Sequence, residues 1–168
     1  MPGFSDYLKV GGGLVHRLAN LVGNIRVGEG TRIDAFVTIT GDVEIGKYTH
    51  IGLNCSLLGG AGIEIGDYVG ISPGVRIFSG TEDVSGEWVT NPTVSEDLRN
   101  PKLSRIVIAD HCFIGANSVV LPGTEMGEGA GLGAISLAKH ELLPWSIYAG
   151  CPALFRGVRT QGVKHKVS

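Results

Sequence analysis

Glu82 and Asp83 stand side by side where the regularity of this chain breaks, and His111 stands just after it resumes. Each is a candidate proton acceptor for a nucleophile, which is general base chemistry. A carboxylate of ordinary pKa is a weak base near neutrality, whereas an imidazole is well matched to it. A carboxylate can instead orient an amine, which attacks without a protein base, or collect the proton that the attack releases. The interrupting stretch is TEDVSGEWVTNPTVSEDLRNPKLS, residues 81–104. A loop of that length inside a compact domain is usually functional. Within it Trp88 and the pair Asn91-Pro92 are too specific for a plain linker, and Trp88 and Asn91 are read as substrate contacts. His50 is expected on the surface or at a subunit interface, and His16, His140 and His165 on the surface. The five histidines are scattered, with no H-x-x-x-x-H pair, so no metal centre is expected. No G-x-x-x-x-G-K-[ST] loop occurs, which argues against a nucleoside triphosphatase.

These residues must be positioned by a repeat of six. From Val27 the chain reads VGEGTR, IDAFVT, ITGDVE, IGKYTH, IGLNCS, LLGGAG; the phase slips through Ile63 and Glu64, and IGDYVG, ISPGVR and IFSGTE follow. From Ile108 it returns as IADHCF, IGANSV, VLPGTE, MGEGAG, LGAISL. The first position of these fourteen units is always aliphatic, the fifth always small or β-branched, and the second glycine seven times. A period of six is neither the helical 3.6 nor a long alternating strand, but a short strand followed by a turn. The first and fifth residues point inward, and glycine at the second is expected to permit the turn backbone. Three units close a triangular coil. Coils stack as parallel strands about 4.8 Å apart, burying a one-dimensional core. The expected architecture is an all-β parallel β-helix of about five coils in a single domain. Residues 24–80 form coils 1–3, 81–104 the inserted active-site loop, 105–137 coils 4–5, and 138–168 a cap and tail. Pro144 and Pro152 are expected to stop regular strand there. In residues 1–23, LVHRLANLV fits either a short helix or an irregular first coil.

Composition narrows the function. The 168 residues carry a net charge of −2, which argues against a nucleic-acid partner. No apolar run reaches the length of a membrane span, and the N-terminal stretch lacks the basic leader and apolar core of a secretory signal. Cys55 and Cys112 fall at inward fifth positions, Cys151 lies in the tail, and no C-x-x-C occurs. An odd set of free thiols suits a reducing cytoplasm.

Hexapeptides of this form resemble the left-handed parallel β-helix acyltransferases, over roughly residues 24–159. The most similar subgroup is the sugar O-acetyltransferases, which includes galactoside and maltose acetyltransferases and enzymes of surface-polysaccharide synthesis. The stretch from Ile114 to Arg159, closing in YAGCPALFRGVR, carries the most specific likeness. The resemblance implies left-handedness, acetyl-CoA as co-substrate, and a homotrimer in which one subunit's loop reaches over its neighbour. It implies coenzyme contacts from Ala116, Gly133, Ala134, Ser136, Lys139, Pro152, Arg156 and Arg159. It also implies a loop histidine in a stretch like S-G-T-H. Here that stretch reads Ser79-Gly80-Thr81-Glu82-Asp83, so the histidine is missing. The implied activity is acetylation of a sugar hydroxyl. N-acetylation of a nucleotide-linked amino sugar is the alternative that the missing histidine favours, and a non-catalytic scaffold is a third. The γ-class carbonic anhydrases share this fold, but their zinc-binding histidine spacing is absent.

Overall fold

A computed structural model describes residues 6–167. The chain winds as a triangular prism. Its first wall stacks Gly13–His16, Arg32–Ile33, His50–Ile51, Gly70–Ile71, Phe113–Ile114, Gly131–Leu132 and Ser146–Ala149 as seven parallel rungs. The second wall stacks the leading halves of Asn20–Val27, Thr38–Ile45 and Ser56–Ile65, then Arg76–Phe78, Val119–Val120 and Leu137–Ala138. The third takes the trailing halves of the same long strands, then Ile106–Ile108 and Glu125–Met126. The solenoid is therefore longer than about five coils. The segment that fitted either helix or irregular coil is strand and forms the first coil. Antiparallel strands end the stack: Tyr7–Val10 on Gly13–His16, and Leu154–Val158 on Ser146–Ala149. Pro144 and Pro152 bracket a regular strand rather than exclude one.

Ile33, Ile51, Ile71 and Ile114, all first-position residues, form a fully buried column behind the first wall. The fifth positions do more than fill a narrow axis. Thr31 Oγ1 donates to the Gly46 carbonyl at 2.7 Å, Thr49 Oγ1 to Gly66 at 2.9 Å and Ser118 Oγ to Gly133 at 2.8 Å. Each hydroxyl satisfies a turn carbonyl of the next coil, a pairing that buried polar groups require. Cys55 and Cys112 make the weaker thiol version, each 3.2 Å from a turn carbonyl. No buried side-chain nitrogen or oxygen among the described residues lacks a partner.

Four expectations need correction. His16, expected on the surface, is buried, and its Nδ1 accepts from the Leu18 N–H at 3.1 Å. The phase slip lies at Gly60-Ala61-Gly62: Ile63 pairs with Val43 and is buried, while Ala61 is only half-buried. Thr81 is exposed rather than inward; Ser79 is the last buried residue of its coil. The second-position glycines do not adopt positive φ. That conformation belongs to the fourth position, as in Tyr48, Tyr68, His111 and Asn117. The second position needs glycine for closeness instead: a Cβ on Gly115 would lie 2.3 Å from the Ala134 nitrogen.

Burial pushes the Cys112 thiol up to about 12, and Cys55 is raised for the same reason. Only Cys151 is exposed. A thiolate is the reactive species. The ligand-free native protein should thus titrate one thiol per chain with a disulfide reagent, and three in denaturant; rapid native labelling of Cys112 would contradict its place in the core.

Candidate active site

The loop leaves the prism after the second wall and rejoins it at the third, at the corner between them. Its neck is a two-stranded pairing of Gly80–Thr81 with Lys102–Leu103. Both acidic candidates sit at this neck. Glu82 pairs with Arg99 from the returning limb. Asp83 is buried; its Oδ1 accepts from the Ser85 N–H at 2.7 Å and its Oδ2 from Asn100 Nδ2 at 3.2 Å. The Ser85 amide and hydroxyl, with Lys102 and Asn100 adding, hold the Asp83 carboxyl below the usual carboxylate range despite the opposing effect of burial. Asp83 is thereby a fixed anion and a poor base. Beyond it Trp88 and Val89 are exposed, and Asn91 folds back to accept from the Thr93 amide and hydroxyl at 3.0 and 2.8 Å.

His111 stands elsewhere, at the corner between the third and first walls. It belongs to a column of turn rings: Tyr48 stacks on Tyr68 and Tyr68 on His111, each at 5.3 Å, and Trp145 leans in at 6.1 Å. Lys164 sits 5.0 Å over the Trp145 ring. The single chain therefore does not bring His111 together with the Glu82-Asp83 neck, since the third wall separates them.

The expected coenzyme contacts divide. Ala116, Gly133 and Ala134 stack at the corner between the first and second walls, leaving a narrow rim. Ser136 points inward, its Oγ donating to the Ala134 carbonyl at 3.2 Å and accepting from the Gly150 N–H at 3.0 Å. Lys139 is exposed beyond the second wall, and Pro152 and Arg156 are exposed in the cap. Arg159 crosses to the His111 corner, where Nη1 donates to the carbonyls of His111 and Gly129 at 2.8 and 2.9 Å. Its stem rims a depression of about 260 Å³ on the first wall, lined by Phe113, Gly131, Leu132, Gly133 and Ile147. Apolar walls beside one guanidinium suit an alkyl-amide arm that ends in phosphate. Lys139 does not share this depression.

One polar group escaped the sequence reading. On the first wall Asp34 gathers Tyr7, Arg32 and His50. The signal was available: Arg32 and His50 occupy the sixth position of units 18 residues apart, and Asp34 stands where half of the units have glycine. Among the described residues no group of three or more metal-ligating side chains occurs. No helix among them is long and apolar enough to cross a membrane.

Known proteins carry the same features. Residues 24–59 match the family described as bacterial transferase hexapeptide (six repeats), and 105–134 the hexapeptide repeat of succinyl-transferase. The dTDP-4-amino-4,6-dideoxy-D-glucose acyltransferase of Escherichia coli is 35% identical over 77% of this chain and 69% of its own. WbbJ of Escherichia coli K12, named for O-acetyl transfer in lipopolysaccharide biosynthesis, is 30% identical over 77% of this chain and 66% of its own. The crystal structure of AntD, an N-acyltransferase from Bacillus cereus, in complex with dTDP and 3-hydroxybutyryl-CoA, superposes with a TM-score of 0.91 at 32% identity, covering 96% of this chain and 88% of that one.

Proposed function

We propose that this chain, which belongs to the hexapeptide-repeat acyltransferases and has their left-handed parallel β-helix, transfers an acetyl group from acetyl-CoA to the amino group of a nucleotide-linked amino sugar. The observation that carries this reading is Asp83, a carboxylate held by Ser85 and Asn100 one residue beyond Glu82, which stands where the resemblance calls for a histidine. A hydroxyl needs a base to become a nucleophile, and an anion held below the usual range serves poorly. A free amine needs only orientation, for which a fixed carboxylate is well suited. The likeness to an N-acyltransferase over nearly the whole chain supports the amine over the sugar hydroxyl. The loop neck offers Asp83 to the amine, Trp88 and Asn91 line the acceptor side, and the coenzyme arm lies along the first wall past Phe113, Gly133 and Arg159.

The wall chemistry supports a homotrimer. Arg26, Glu44, Glu64 and Glu125 point outward on the third wall, with Arg26 paired to Glu44 at 2.8 Å and Arg105 to Glu64. That wall suits water. The first and second walls present Phe113, Ile147, Leu58 and Phe78, which suits contact with other copies. When the first wall of one copy meets the second wall of the next, the loop at the outer edge of that second wall crosses the Tyr48–Tyr68–His111 corner of its neighbour. The separated residues of one chain are then reunited between two.

The test is incubation of purified protein with acetyl-CoA and dTDP-4-amino-4,6-dideoxyglucose. An N-acetylated product, equimolar free thiol and a light-scattering mass of three chains are expected. Transfer solely to sugars that lack an amine would overturn the acceptor assignment, and a fully active monomer the shared site.

A further inference from the structure

His50 is the single histidine among the described residues whose ring is held by a carboxylate. Its Nε2 lies 2.8 Å from Asp34 Oδ2. Asp34 has its own supports: Tyr7 Oη donates to Oδ1 at 2.8 Å and Arg32 Nε pairs with Oδ1 at 3.1 Å. Burial alone would push the Asp34 carboxyl up, but its bonds to His50 and Tyr7 and the charge of Arg32 bring it below the usual range. Asp34 is therefore an acceptor, which assigns the proton on His50 to Nε2. Arg32 Nη2 also lies 2.9 Å from that nitrogen. We assign the tautomer from the carboxylate, which can only accept; the Arg32 approach is then a contact between two donors, both held by Asp34.

This arrangement leaves Nδ1 with its lone pair and no protein partner. A histidine oriented through one nitrogen by a partly buried carboxylate, with the other free, is the arrangement of an acid–base group. In register, His50 lies between Arg32 and Gly70. Arg32 and Asp34 flank it on the preceding rung, Tyr7 comes from the N-terminal hairpin, and Gly70 contributes no side chain on the following rung. The Phe113 ring of the next rung lies over Gly70. The His50 side chain is 43% exposed in the single chain.

We propose that His50, oriented by Asp34, is the proton acceptor for acyl transfer, a role that rests on the acyl-transfer reading above. The acceptor nitrogen attacks the thioester carbonyl, forming C–N as the π pair moves to oxygen. The nitrogen then carries a surplus proton, which passes to His50 Nδ1. Collapse re-forms C=O and breaks C–S, and the imidazolium returns the proton to the departing thiolate. Amine and thioester become amide and thiol, with His50 restored. Asp34, Tyr7 and Arg32 are positioning residues that fix the tautomer.

The experiment compares wild type with His50→Gln and His50→Ala on the aminosugar and acetyl-CoA. For His50→Gln, kcat should fall about 10²-fold, with acceptor KM, coenzyme Kd and trimer mass unchanged. Added imidazole should restore part of the His50→Ala rate. A kcat within about threefold of wild type would sink the assignment. A His50→Gln protein that melts early or loses its assembly would sink it too, reducing the network to a tie between coils. A wild type that binds coenzyme but acylates no amine would remove the amine reading and this one together, a result distinct from an active His50→Gln.

Discussion

Ile114→Asp is expected to yield no cooperatively folded protein. Ile114 is fully buried and pairs in register with Ile71 below and Leu132 above. Removing a buried isoleucine costs about 2–5 kcal/mol. A carboxyl in its place, ionised or not, adds the cost of burying a polar group with no partner. The sum reaches the whole of an ordinary domain stability of about 5–15 kcal/mol. The solenoid sharpens the effect, because each coil is held only by its neighbours and this one lies mid-stack. Far-ultraviolet dichroism and solubility read the outcome. Glu125→Ala, on the outward side of the third wall, is the control and should stay within about 0.5 kcal/mol of the parent. An Ile114→Asp protein with a sharp melt would place this residue outside the column.

That prediction was legible in the sequence because a one-dimensional core imposes its period on every inward residue. The same logic made the loop visible, as the place where the period fails. What the period could not convey is what passes between coils. Second-position glycines look like turn residues until the stack shows Gly115 pressed against the Ala134 backbone. Thr31 and Thr49 look like filler until their hydroxyls are seen to serve carbonyls one coil on. Asp34 and His50 lie 2.8 Å apart but 16 residues apart in the chain, so their contact emerges only when coil length and register are both known. Inside the loop there is no period at all. The bonds that fix Asp83 to Ser85 and Asn100 follow from local turn chemistry, and the sequence shows only that a carboxylate is present.

Asp83→Asn separates orientation from base catalysis. The amide keeps the shape of the side chain and an acceptor oxygen for the Ser85 N–H, but loses the charge. With an amine acceptor oriented by the carboxylate, the loss should appear mainly in the acceptor KM, about tenfold or more, the worth of a charge-assisted hydrogen bond. With a hydroxyl acceptor and Asp83 as base, kcat should instead fall by about 10²- to 10⁴-fold at little change in coenzyme affinity. The pH profile adds a second discriminator. Because its pKa in the folded chain is depressed, the Asp83 charge is fully present above the ordinary carboxylate range and lost only as pH falls through the lower folded value. No limb near neutrality can then belong to Asp83, and Asp83→Asn should leave the profile there unchanged. His111→Ala should lower the melting temperature by opening the ring column while transfer persists, since the ring is stacked on Tyr68 and its carbonyl is held by Arg159. A large kcat loss in His111→Ala, with Asp83→Asn and His50→Gln near wild type, would move proton transfer to that corner. The first wall would then keep only the binding of the coenzyme.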